Sequence, residues 1–132
     1  MVENTQETAN TAAEPPGLAE LTRRLLDFRD ARDWRQFHTA KNLMVSLALE
    51  AAELLEVAQW KTDAQLDAAL GDPALHKRLE EECADVLLYL LLLAERTGID
   101  LARAAAAKIA VNDARYPVAK ARGNSLKYNE LE

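Results

Sequence analysis

The sequence predicts an all-α chain: a four-helix-bundle-type subunit, with four main helices, that associates into a homo-oligomer. Three observations carry this. Leu and Ala dominate a composition with only four Gly and four Pro, which favours helix over sheet. Apolar residues recur at three- and four-residue spacing, as in Leu18, Leu21, Leu25 and Phe28, the period of a one-faced helix. The segment from Val86 to Leu93 is apolar nearly all round, and such a helix must be buried on several sides. One subunit of 132 residues has little surface to cover it, so a contact between copies is expected to do so. A dimer or tetramer fits, with the tetramer favoured.

The elements follow in order. Residues 1–17 are polar and end in Pro15-Pro16-Gly17, which reads as a disordered arm. A first helix is predicted from Leu18 to about Arg32. The run Asp33 to His38 has no clean period and reads as a loop. Thr39 is a natural cap for a second helix from Ala40 to about Gln59. Thr62 or Asp63 starts a short helical piece ending near Gly71. Asp72-Pro73 matches an N-cap followed by Pro at the first helical position, opening the third long helix from Pro73 to about Thr97. Gly98 stops it. Asp100 caps a fourth helix through about Asp113. Pro117 and Gly123 are expected to end regular structure. The domain is thus placed at 18–117, with a polar tail at 118–132.

The net charge of −6 argues against a surface that coats nucleic acid. A nucleotide remains compatible, because a cation can bridge acidic ligands to phosphates. The single cysteine, Cys83, has no internal partner for a disulfide. The apolar run from Val86 to Ala94 is far shorter than the ~20 residues needed to span a bilayer, and no signal-peptide pattern opens the chain. No membrane partner and a cytoplasmic location are therefore expected.

Two carboxylate pairs carry the chemistry: Glu50-x-x-Glu53 and Glu82-x-x-Asp85. Residues three apart on a helix share a face, so each pair aims two acids one way. If the apolar faces around them meet (Leu43, Met44, Leu47, Leu54 and Leu55 on one helix, Val86 to Leu91 on the other), four carboxylates converge. Four unpaired acids at a buried edge repel and are costly to desolvate, and a divalent cation resolves this. Carboxylate oxygens without imidazole or thiolate suit Mg²⁺, with Mn²⁺ as a substitute. Neither His38 nor His76 follows an acid by three residues, which counts against a di-iron bundle.

These segments, taken together, resemble the MazG-like all-α nucleoside triphosphate pyrophosphohydrolases, and most closely their dCTP pyrophosphatase branch. The resemblance runs from about Leu21 to Leu131. It rests on Arg32-Asp33-Trp34-x-Gln36-Phe37-His38, Glu50-x-x-Glu53, Gln59-Trp60-Lys61-Thr62-Asp63, Glu81-Glu82-x-x-Asp85-Val86-Leu87-x-Tyr89-Leu90, Lys108, Asn112, Arg115-Tyr116-Pro117 and Lys127-Tyr128. It implies hydrolysis between the α and β phosphates of a nucleoside triphosphate, giving a monophosphate and pyrophosphate. It also implies that Glu50, Glu53, Glu82 and Asp85 bind Mg²⁺. An acid left partly free by the cation can hold the attacking water; Glu53 is favoured for this, with Glu50 as the second catalytic candidate, since neighbouring acids raise one member's pKa.

Trp34, Phe37 and His38 stand just before the first acidic helix, and Trp60 just after it. The plain reading of Trp and Phe is core packing. Yet a flat base needs a flat wall, and the resemblance assigns these positions to the base and sugar pocket. Tyr89 lies four residues after Asp85 and shares its face; the resemblance gives it a nucleotide contact as well. Lys108, Asn112 and Arg115 form one stripe of the fourth helix, either a solvated face or a cationic wall for phosphates. Arg115, Tyr116 and Lys127 are expected to close over the phosphates from the tail.

One departure matters. The dCTP-specific branch often places a His where this chain has Leu25, which loosens the expectation of strict dCTP preference. The expected substrates are dCTP and modified dCTP. The alternatives are a dUTP or general nucleotide hydrolase of the same fold, and a non-catalytic helical oligomerisation module.

Overall fold

The computed structural model describes residues 13–131; most of the predicted N-terminal arm, residues 1–12, and Glu132 lie outside them. Every regular element among the described residues is helical. Six α-helices follow one another: α1 (Leu18–Asp30), α2 (Ala40–Glu56), α3 (Asp63–Ala69), α4 (Pro73–Thr97), α5 (Leu101–Arg115) and α6 (Val118–Ala121). Two 3₁₀ turns, Arg35–Phe37 and Tyr128–Glu130, complete the set. The chain is all-α, and four of its helices are the long ones that periodicity marks.

The helix starts follow from side chains that satisfy otherwise unpaired backbone N–H groups. The Thr39 hydroxyl accepts from the Asn42 N–H at 3.1 Å. Thr62 and Gln65 form a reciprocal capping box at the start of α3. Asp72 accepts from the Ala74 N–H at 3.2 Å, with Pro73 at the first position of α4. Asp100 accepts from the Arg103 N–H at 3.1 Å. Gly98 closes α4 at φ 71°, the left-handed conformation that costs glycine little.

Three boundaries differ from the sequence reading. Helix α1 stops at Asp30, because the chain turns back there: the Arg32 and Trp34 N–H groups both reach the Arg29 carbonyl. Helix α2 stops at Glu56, after which the Val57, Ala58 and Gln59 N–H groups bond three residues back instead of four. Regular structure does not end at Pro117. That proline precedes α6, and its carbonyl accepts from Lys120 and Ala121, both at 2.9 Å. Its fixed φ and missing N–H suit the start of a helix, where no partner is needed.

Helix α4 is the central element, packing against α2 and α1. Leu43, Val57, Leu91, Leu92 and Ala94 are buried between them, each large side chain contributing about 1.5–3 kcal/mol. The predicted apolar face of α2 is only partly covered. Leu43 is 2% exposed and Leu47 and Leu54 are half-buried, but Met44 and Leu55 face outward. Of the run Val86 to Leu93, only Leu91 and Leu92 are fully buried. No residue of α5 is buried, and Ile109 and Val111 lie open. A single copy thus leaves wide apolar surface in water. No helix among the described residues is long and apolar enough to cross a membrane.

Candidate metal and nucleotide site

Helices α2 and α4 run antiparallel: Glu50 approaches Glu82 near one end, while His38 and Thr39, at the start of α2, share a cavity with Glu95 and Arg96 at the end of α4. This brings the two carboxylate pairs face to face. Glu50, Glu53 and Glu82 each place a carboxylate oxygen within 4.8 Å of the other two. Asp85 stands one turn along α4 from Glu82, close enough for its charge to act on Glu50. Glu50 and Glu82 are half-buried, and Glu53 and Asp85 are exposed. Among the described residues no Lys, Arg or His pairs with any of the four.

The electrostatic consequence falls on Glu50. Burial pushes its carboxyl up from the usual carboxylate range, and the charges of Glu53, Asp85 and Glu82 push it further. An all-oxygen, acidic, partly open cluster fits a hard divalent cation that keeps positions for other ligands.

Beside the cluster lies a cavity of about 230 Å³, and Asp85 forms part of its wall. Trp34, His38 and Tyr89 line it, with Leu25 and Phe28 from α1 and Leu88 and Leu92 from α4. Local chemistry explains how Trp34 arrives there. Asp33 adopts φ 53°, reversing the chain after α1, and accepts from the Gln36 amide at 2.9 Å. The Trp34 ring then meets Phe28 edge-on at 5.7 Å, under the Arg32 guanidinium. His38 follows the 3₁₀ turn. Burial holds its imidazole below the usual histidine pKa, with the Arg29 charge adding to this, so the ring is neutral at pH 7. Its Nδ1 is buried without a hydrogen-bond partner.

Other predicted residues lie apart from this cavity. Phe37 is 60% exposed and Trp60 is 86% exposed, and neither lines it. Lys108 and Asn112 lie exposed on α5. Arg115, Tyr116 and Tyr128 form their own cluster. The Arg115 guanidinium sits 4.8 Å over the Tyr128 ring, and Tyr116 meets that ring edge-on at 6.2 Å. Lys127 lies beside them in sequence, its N–H bonded to Glu130. None of this group reaches the carboxylate cavity within one copy.

Arg29 is the residue that sequence reading missed. It is 6% exposed, and its guanidinium bonds Asp30 at 2.7 Å and Glu95 at 3.4 Å. The available signal was its place at helical spacing from Thr22 and Leu25 on α1, both half-buried. Arg29 and His38 also line a second cavity of about 600 Å³ with Arg35, Arg96, Asp33 and Glu95.

Comparison with known proteins gives the family of the chain. The model of the MazG-like family matches residues 45–131. The chain is 42% identical over 116 residues to dCTP pyrophosphatase 1 of Rattus norvegicus and of Homo sapiens, covering 88% of this chain and 68% of each relative. Its fold is similar to the crystal structure of a pyrophosphatase from Archaeoglobus fulgidus, with a TM-score of 0.71 and 38% identity over 80% of this chain and 97% of that one. The paired carboxylates on α2 and α4 fall inside the matched region, and on these grounds the chain belongs to the MazG-like family.

Proposed function

We propose that this chain is a Mg²⁺-dependent nucleoside triphosphate pyrophosphohydrolase that cleaves the α–β phosphate bond of deoxynucleotides, dCTP and modified dCTP first among them. It is a nucleoside triphosphate diphosphatase by kinship with the pyrophosphatases above. The observation that carries the finer reading is a juxtaposition: three carboxylates within 4.8 Å of one another beside a cavity walled by Trp34, Tyr89 and Asp85.

Glu50, Glu53, Glu82 and Asp85 are the residues to hold the cation, Mg²⁺ by preference and Mn²⁺ as substitute. When bound, the cation neutralises phosphate charge and orients the triphosphate for in-line attack. Glu53 is more exposed than Glu50, its partner on α2, and takes the proton of the attacking water. Glu50, whose carboxyl is held above the usual range by burial and by the charges of Glu53, Asp85 and Glu82, is the acid whose charge a bound cation would relieve most. Trp34 and Tyr89 flank the base, and the neutral His38 offers it a hydrogen bond. Leu25 presents only methyl groups to this cavity, so base selection falls to His38 and its neighbours, and dUTP is the nearest competing substrate.

A second copy of the chain completes the assembly. The open apolar side chains Met44, Leu49 and Leu55 on α2 and Ile109 on α5 are the surface it covers, with a tetramer favoured. Lys108, Asn112, Arg115, Tyr116, Lys127, Phe37 and Trp60 then meet the nucleotide from across that contact or on closure of the tail.

A panel of nucleoside triphosphates with Mg²⁺, read for pyrophosphate, tests the reading. Release from dCTP is expected. Release from none defeats it, and orthophosphate as first product moves cleavage to the β–γ bond.

A further inference from the structure

Read along α4, the chain presents three zones in order. Glu82 and Asp85 belong to the carboxylate cluster. Tyr89 and Leu92 line the smaller cavity. Glu95 and Arg96 line the larger one. From Asp85 to Glu95 the helix rises about 15 Å, and Asp85, Tyr89, Leu92 and Arg96 follow one another at helical spacing along one stripe of it. The two cavities share a wall made of Arg29 and His38.

We infer that the larger cavity receives an anionic substituent carried on the edge of the nucleobase remote from the sugar, and that Arg35 and Arg96 select it. The inference rests on the nucleotide reading above. Three guanidiniums and two carboxylates line this cavity. Arg29 is already committed to Asp30 and Glu95, and the Asp33 carboxylate accepts from Gln36. Arg35 and Arg96 have no carboxylate within ion-pair distance among the described residues. Guanidinium groups bind carboxylates through paired, charge-assisted hydrogen bonds. On the shared wall stands His38, whose Nδ1 is a buried polar atom without a hydrogen-bond partner. A nucleotide with an unsubstituted base leaves Arg35 and Arg96 in water and loses nothing.

The test compares dCTP with 5-carboxy-dCTP, both with Mg²⁺, on the wild-type chain and on Arg35→Ala/Arg96→Ala. The wild type is expected to hydrolyse both. The double variant is expected to keep kcat/KM for dCTP within about twofold and to lose about tenfold to a hundredfold on the carboxylated analogue, mainly through KM. Hydrolysis of dCTP also shows that the variant folds. An unchanged preference in the double variant overturns the inference, as does an equal loss on both substrates. A wild type that hydrolyses dCTP and refuses the analogue overturns this inference alone. One that hydrolyses neither defeats the nucleotide reading and takes this one with it.

Discussion

Glu50 of α2 and Glu82 of α4 bring carboxylate oxygens within 4.8 Å of each other, and Glu53 joins them. Antiparallel packing of two helices, each with acids three residues apart, creates this convergence. With no basic partner among the described residues, the cluster raises the electrostatic free energy of the metal-free fold. That cost drives the first two predictions.

Mg²⁺ should stabilise the protein. At about 100 times its dissociation constant, a ligand specific to the folded state adds about 2.7 kcal/mol, read as a higher Tm in a thermal melt. Glu82→Gln should lose most of this shift. Glu53→Ala should abolish pyrophosphate release with helix content by circular dichroism intact; retained turnover removes Glu53 from the mechanism.

The metal-free protein should gain stability at Glu50 as pH falls. Its folded carboxyl titrates above the unfolded value of 4.5, so the native state binds the extra proton between the two values. Stability at this position is therefore lost as pH rises through the folded pKa. His38 works in the opposite sense: its folded pKa lies below 6.5, so its contribution is lost as pH falls. The difference between wild type and Glu50→Gln isolates the Glu50 part. In chelator, the variant's Tm should gain on that of the wild type as pH rises above 4.5. Equal slopes would remove the coupling.

Trp34→Ala should raise KM more than it lowers kcat. Base stacking is worth about 1–3 kcal/mol, or about five- to 150-fold in affinity. Phe37, 60% exposed and outside the cavity, should show this effect only if a neighbouring copy brings it to the base. Steady-state kinetics on both variants decides between the two positions.

Light scattering should give a mass that is a multiple of the single chain. Met44→Glu/Leu55→Glu places charges on the open face of α2 and should yield a smaller species. In a Trp34→Phe background, the fluorescence of Trp60 should shift to longer wavelength when that assembly dissociates. A clean monomer in the wild type contradicts the homo-oligomer.

Much of the fold was legible because its signals are local. Thr39, Thr62, Asp72 and Asp100 each cap the helix predicted for them, since a cap needs only a side chain and the next turn. The end of α1 was less legible. It depends on Asp33 taking a positive φ and on two N–H groups sharing the Arg29 carbonyl, which no periodicity encodes. Helix α6 was missed because Pro117 signals both the end of one helix and the start of another.

By itself, the sequence determined the helical class, the capped starts and the pairing of acids on shared helix faces, because each depends on residues within a turn or two. It also placed Trp34 and His38 beside the acidic helix. Only the tertiary structure decided that Glu50, Glu53 and Glu82 share one cluster, that Glu50 bears the raised pKa, and that Arg29 is buried against Asp30 and Glu95. It also separated Trp34, in the cavity wall, from Trp60, 86% exposed. The physical reason is range. Helix formation and capping are near-neighbour effects, whereas burial and charge coupling depend on which residues distant in sequence the packing of α1 and α2 on α4 brings together.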